Sequence, residues 1–282
     1  DIDAGRNISS SADITTTAAV DSGTVSGAVD LDADGTVTLA GSISTTGADR
    51  ATTSGSAAST GGQVDITTVD GAISVTDITT SGGAHTGGMA GDDGGAAAAI
   101  NITAGDAADS DTDSITLNGV LTALGGTGDT AGADGTVTLN ATAGGGLIDG
   151  LADTLTDVAA GTLVVDARLG VGTADAIDTA VSTLDVDNTT SGNIDLAEAD
   201  DVTVHQLDQD GTGSVTLTTT AGTITIASSQ SGVTATSGTV TLTAGGATGD
   251  VVINEDITTI GGLVDIDAGR NISSSADITT TA

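Results

Sequence analysis

The sequence predicts an all-β chain wound as a parallel β-helix, a solenoid of about nine irregular three-strand coils in a 264-residue unit. Three observations predict it. The first eighteen residues, DIDAGRNISSSADITTTA, return letter for letter as the last eighteen, so that Asp1 to Ala18 is repeated as Asp265 to Ala282. Within that interval an apolar–x–apolar triplet recurs at a mean spacing of about 29 residues. The chain also lacks Phe, Tyr, Trp, Pro, Cys and Lys and has one Met, so small and branched aliphatic residues alone must fill its interior.

The duplication divides the chain into one unit, 1–264, and the opening of an identical next one, 265–282. With no initiating Met, signal peptide or terminal anchor in view, an excerpt from a tandem array is expected. Val, Ile and Leu make up 61 of 282 residues, just above the roughly 20% at which high net charge predicts disorder. They are not scattered, however: they form alternating β-branched triplets between Gly-rich turns, which is the pattern of strands.

The triplets are VDL at 29–31, VDI at 64–66, INI at 100–102, VTL at 137–139 and VVD from Val164. LDV at 184–186, VTL at 215–217, VTL at 240–242 and VDI at 264–266 follow. Two further apolar stretches come after each: VTL (37–39) and SIST (42–45), ISV (73–75) and DITT (77–80), ITL (115–117) and GVLTAL (119–124). Three short strands per turn, each with one side inward, describe a three-faced coil. Such a coil buries its apolar side only by stacking on its neighbours. Nine coils at a strand spacing of ~4.8 Å give a rod of roughly 43 Å. No stretch sustains the stripe of an amphipathic helix; tandem β-sandwich domains are the alternative, since short strands with frequent turns suit them too.

Gly/Ala/Ser/Thr/Asp tracts at 47–62, 81–98 and 125–135 fall between the third strand of one coil and the first of the next. They are expected to project from one edge of the rod as adjacent loops, either as tolerated loop length or as a contact patch for a surface or ligand. Runs such as GTVTLTAGGATGDVVINEDITTIGGLVDIDAGRNIS (238–273) resemble the repeat regions of filamentous-haemagglutinin-like and other giant bacterial β-strand-repeat adhesins. The resemblance covers nearly the whole chain through a low-complexity motif. It implies a right-handed β-helix in an exported fibre protein, at the bacterial cell surface or shed from it, and implies no ligand.

Thirty-nine acidic residues face four Arg, for a net charge of −35. Setting aside the copied tail's three Asp and one Arg leaves −33 on the unit, or about one charge per 1.3 Å of rod against one per ~1.7 Å in duplex DNA. Such a rod repels nucleic acid and anionic lipid and attracts cations. No apolar run approaches the ~18 residues of a membrane helix, so no membrane insertion is expected. Calcium is the expected cation, held by Asp30, Asp32 and Asp34 before Gly35, an Asp-x-Asp-x-Asp-Gly opening without the Glu at position 12, or by Asp109, Asp111 and Asp113 in DSDTD.

No enzyme activity is expected, because no constellation of catalytic residues stands out. No Cys excludes thiol chemistry, and His85 and His205 stand apart from other ligands and are expected to face solvent. No carboxylate pair stands out among 39 for glycosidase work. The function expected is therefore that of a structural repeat, stacking head to tail on copies of itself and bundling laterally. A binding role for the edge loops is the alternative. Ice binding through Thr223/Thr225 and Thr239/Thr241/Thr243 is disfavoured, because unequal coils break the register of Thr rows.

Overall fold

A computed structural model of the chain describes residues 1–21, 23–51, 55–105, 113–150 and 154–282. Its strands are short and pair in parallel, and the described residues contain no helix. The chain is a parallel β-solenoid. A sandwich needs antiparallel pairs, and the described ladders hold none.

Three ladders run along the rod. The first begins with Ile2–Ala4 and continues through Val29–Ala33, Val64–Thr68, Ile100–Thr103 and Thr136–Ala141. It then takes the latter parts of Val158–Ala167, Ile177–Asn188 and Val202–Thr212, and ends with Gly232–Ser237, Ile257–Ile260 and Ile278–Thr281. The second carries Ile8–Ser10, Val37–Leu39, Ile73–Val75, Ile115–Leu117 and Ile148–Asp149, bridges through Val171, and resumes with Ile194–Glu198, Val215–Thr219, Val240–Ala244 and Val264–Ala268. The third starts at Ile14–Thr15 and ends at Asn271–Ser274.

Each ladder points one side chain in two inward, and inward residues stack on inward residues. On the first ladder Leu31, Ile66, Ile102, Leu139, Val165, Val186, Leu207, Val233 and Ile257 are all buried to 1% exposure or less. β-Branched and Leu side chains fill so narrow an interior and suit the pleated backbone. The triplet placed at Val164 is displaced by one residue: Leu163 pairs with Val137 and turns inward with Val165, while Val164 faces out. Three consecutive apolar residues satisfy either register by pattern alone, and pairing with the neighbouring turn decides it.

The corners account for many of the aspartates. Where the second strand of a turn gives way to the third, an Asp side chain accepts the backbone N–H of the equivalent corner one turn on. Asp13 takes Ser42 N–H (2.8 Å), Asp77 takes Val120 N–H (2.9 Å) and Asp157 takes Asp178 N–H (3.0 Å). Asp201 takes Thr223 N–H (2.7 Å) and Asp250 takes Asn271 N–H (3.0 Å). Corner amides have no ladder partner, and short Asx side chains reach them. Gly119 lies over Asp77, where a Cβ would come within 2.4 Å of the carboxylate oxygen. At another corner Asn7 and Asn193 do the same service for Thr36 and Ser214, so the hydrogen bond needs the oxygen and not the charge. Asp77→Ala is expected to lower unfolding stability by about 1 kcal/mol, and Asp77→Asn to restore most of it, in urea titrations of the two variants.

The duplicated segment occupies different places at its two ends. Ile2 opens the first ladder, yet its copy Ile266 lies on the second, paired with Leu242. Ile14 lies on the third ladder, and its copy Ile278 lies on the first, paired with Ile257. The first ladder makes ten turns from Ile2 to Ile278, so the 264-residue interval from Ile14 to Ile278 covers about nine and one-third turns. The triplets at 215, 240 and 264 accordingly lie on the second ladder, one face away from those at 29, 64, 100 and 137.

Candidate functional site: a glycine bundle and an acidic face

Two features stand out on the rod, and the first is built from the long tracts. Segments 47–62, 81–98 and 125–135 leave the third ladder, run out and return to the first, at the expected corner of successive turns. They are not separate projecting loops. Their described residues lie outside the strands and hydrogen-bond in two directions at once.

Along the rod, outgoing segments bond to outgoing ones: Gly47 N–H to Ser81 O, Arg50 to Ala84, Gly82 to Leu124 and His85 to Thr127. Returning segments do likewise, with Ala58 bonding to Asp93, Gly61 to Ala96, Gly94 to Thr130 and Ala97 to Ala133. Across the rod a second series links outgoing and returning segments: Gly83 N–H to Ser59 O, Gly95 to Gly83, Gly126 to Gly95 and Gly132 to Gly126, all at 2.8–2.9 Å. Donors along each direction recur every third residue, as at Gly82/His85 and Gly94/Ala97. That is the period of a polyproline II helix, whose backbone groups point outward and are free to bond to neighbours.

Close packing explains the glycines. A Cβ on Gly95 would lie 1.9 Å from Ser59 O, one on Gly126 1.9 Å from Gly83 O, and one on Gly94 1.8 Å from Gly126 O. The obstruction is backbone in each case, so the Cα–H faces a carbonyl and no side chain fits there.

One outer turn of this bundle encloses His85, at 5% exposure, rather than leaving it in solvent. Its Nδ1 accepts Gly87 N–H (3.0 Å), which assigns the proton to Nε2, 3.5 Å from Asp92 Oδ1. Asp92 in turn accepts the N–H groups of Gly55, Gly88 and Met89, each at 2.9 Å. The pair holds the tip of one loop against its neighbour and is closed off from solvent. His205 lies half-buried within Val202–Thr212.

The second feature is an acidic face. The outward positions of the first ladder stack Asp3 on Asp32, Asp30 on Asp65, and Asp166 on Asp187 on Asp208. The second and third ladders present hydroxyls instead over the first four turns: Ser9, Thr38, Ser74 and Thr116 on one, Thr15, Ser44, Thr79 and Thr122 on the other. Like charges on adjacent turns resist ionisation. Burial, then Asp210 and Asp187, push Asp208 up to about 6. Burial and neighbouring aspartates also raise Asp187, Asp166 and Asp32.

Asp30 and Asp32 are thus on a strand, two residues apart along one outward row, with Asp34 at the corner beyond. The backbone there does not wrap around a centre as a calcium loop does. Asp109 and Asp111 lie outside the described residues, and Asp113 is fully buried. Among the described residues no group of three or more His, Asp and Glu side chains gathers at metal-binding distance, and no helix is long and apolar enough to cross a membrane.

These features define a β-solenoid with stacked aspartates on its first ladder, hydroxyl rows on the other two over the first four turns, and a glycine-built edge. Compared with family models, curated proteins and solved structures, the chain matches none.

Proposed function

We propose that the chain is a structural repeat of an extracellular bacterial filament or adhesin shaft, supplying length, stiffness and attachment at the cell surface or matrix, without catalysis. The carrying observation is the first ladder, which passes unbroken from Ile2 to Ile278 and ends in a turn whose sequence also begins the chain. Shafts need a unit that stacks on itself without limit, and a solenoid with a repeated end is such a unit. The resemblance of 238–273 to giant adhesin repeats agrees with this reading. Cations, calcium among them, neutralise the acidic face and let rods approach side by side.

Small-angle scattering of the purified chain is expected to show a rod of about 50 Å, ten turns at ~4.8 Å, and electron micrographs of concentrated material with calcium to show thin uniform fibres that fray in EGTA. A compact, globular scattering profile refutes the shaft, and indifference to EGTA refutes the role of calcium. A second reading is favoured by the two-way hydrogen bonding of the glycine bundle, which holds adjacent segments side by side as a surface for binding a target or ligand. Shortening 81–98 and 125–135 to tight turns separates the two: a shaft still assembles, whereas a binding module loses its target.

A further inference from the structure

The C-terminal turn exposes an edge whose covered form is visible in the same molecule. Ile8 is 8% exposed beneath Val37 of the second turn, whereas its copy Ile272 is 51% exposed. Ile14 packs partly buried against the core beneath Ile43, whereas its copy Ile278 is 45% exposed. The second and third strands, covered by residues 37–44 at one end of the rod, are thus laid open at the other, while the first strand is part-exposed at both: Ile2 is 49% exposed and its copy Ile266 is partly buried.

We infer that the turn formed by 265–282 is a seat for the second turn of a further copy of this chain, and that the joined copy is rotated about the rod axis by about one third of a turn. Identical side chains in the same strand order offer identical partners. The incoming strands equivalent to Val29–Ala33, Val37–Leu39 and Ile43–Ser44 therefore meet Asp265 to Ala282 in the register they use on Asp1 to Ala18. The rotation follows from the placement of the seat. Asp267, the copy of Asp3, pairs with Thr243 on the second ladder rather than standing next to Thr258 in the row that Asp3 begins. The acidic strand and the glycine edge of the next copy are carried round to the next face together. This inference rests on the shaft reading, since it requires one unit to follow another.

The chain has no Cys, so introduced thiols report cleanly. Paired variants of the full chain test the rotation: Asp267→Cys with Thr243→Cys should be bridged by a short bis-maleimide, and Asp267→Cys with Thr258→Cys should not. The opposite result overturns the rotation. A synthetic peptide of residues 19–46 carrying Thr38→Cys tests the seat. With the full chain bearing Ser273→Cys it should form a disulfide adduct, because Ser9 faces Thr38 in the native register. With Ser9→Cys it should not, because that place is already filled by the chain's own second turn. No adduct, or equal adduct at both positions, overturns the seat. Rod-like scattering without an adduct refutes the seat and leaves the shaft standing, while loss of the rod itself refutes the shaft.

Discussion

Gly95→Val is expected to open the glycine bundle while leaving the three ladders wound. The Cβ alone would stand 1.9 Å from Ser59 O and 2.6 Å from its carbonyl carbon, and valine adds two methyls. Ser59 sits in a returning segment tied on both sides, to Ala48 through its own N–H and to Gly83 through its carbonyl, so it has no direction in which to yield. Overpacking of this kind costs about 1–3 kcal/mol in ordinary cores, and a local unit held mainly by backbone hydrogen bonds has little more than that to lose. Hydrogen exchange should show the amides of Gly83, Gly95, Gly126 and Gly132 losing protection, with those of Ile102 and Leu139 unchanged. Gly5→Ala is the control, since its Cβ would meet nothing closer than 3.6 Å. Full protection of the bundle in Gly95→Val would show that the segments are held by something other than their close approach.

Acidification from pH 7.5 to pH 5 is expected to stabilise the rod. Asp208, raised to about 6, holds its proton more tightly folded than unfolded. The stability this supplies is complete near pH 4, around the ordinary carboxylate value, and is lost as pH rises through about 6. Asp187 and Asp166, raised by the same stack, act in the same direction. Asp250 opposes them, held down to about 2 chiefly by its hydrogen bond from Arg270. Its contribution is lost only as pH falls toward 2, below the range compared. Removing the charge with Asp208→Asn should therefore raise stability at pH 7.5 by on the order of 1 kcal/mol, after allowance for solvent screening of a half-exposed group, or roughly 2–4 °C in Tm. The variant should also flatten the difference between pH 5 and pH 7.5. An unchanged pH profile in Asp208→Asn would remove the stack as its cause.

The ladders were legible in the sequence because each inward row is written in Val, Ile and Leu with a polar residue between, as in Val64, Asp65 and Ile66. The phase was not. VTL at 137 and VTL at 215 are the same three letters on different faces, and only the accumulated lengths of unequal turns separate them. The glycine bundle was hidden for a different reason, since Gly-rich tracts read as loose loops when taken one at a time. The available signal was the glycine pair at 61–62, 82–83, 94–95 and 125–126, residues that meet neighbours on more than one side. His85 reads as solvent-facing for a related reason: its cover is an outer turn of its own Gly-rich tract, closed by Gly87 and Asp92, where no apolar pattern marks burial. The Asp-x-Asp-x-Asp-Gly run at 30–35 satisfied a loop motif by composition while its alternation made it a strand, and pairing with 64–68 decided in favour of the strand.

A repeat that closes on a whole number of turns would line up every copy along a single side. In the proposed shaft, nine and one-third turns per unit would make the array a threefold screw instead, so that a given flank would meet a glycine edge once in every three units, about 28 turns or roughly 130 Å apart. Between those points the same flank shows the other two unit orientations, which spreads the charge of the acidic strands around the shaft. A filament built as proposed would have no preferred side on which to lie, and contacts with neighbours would be equally available from all directions.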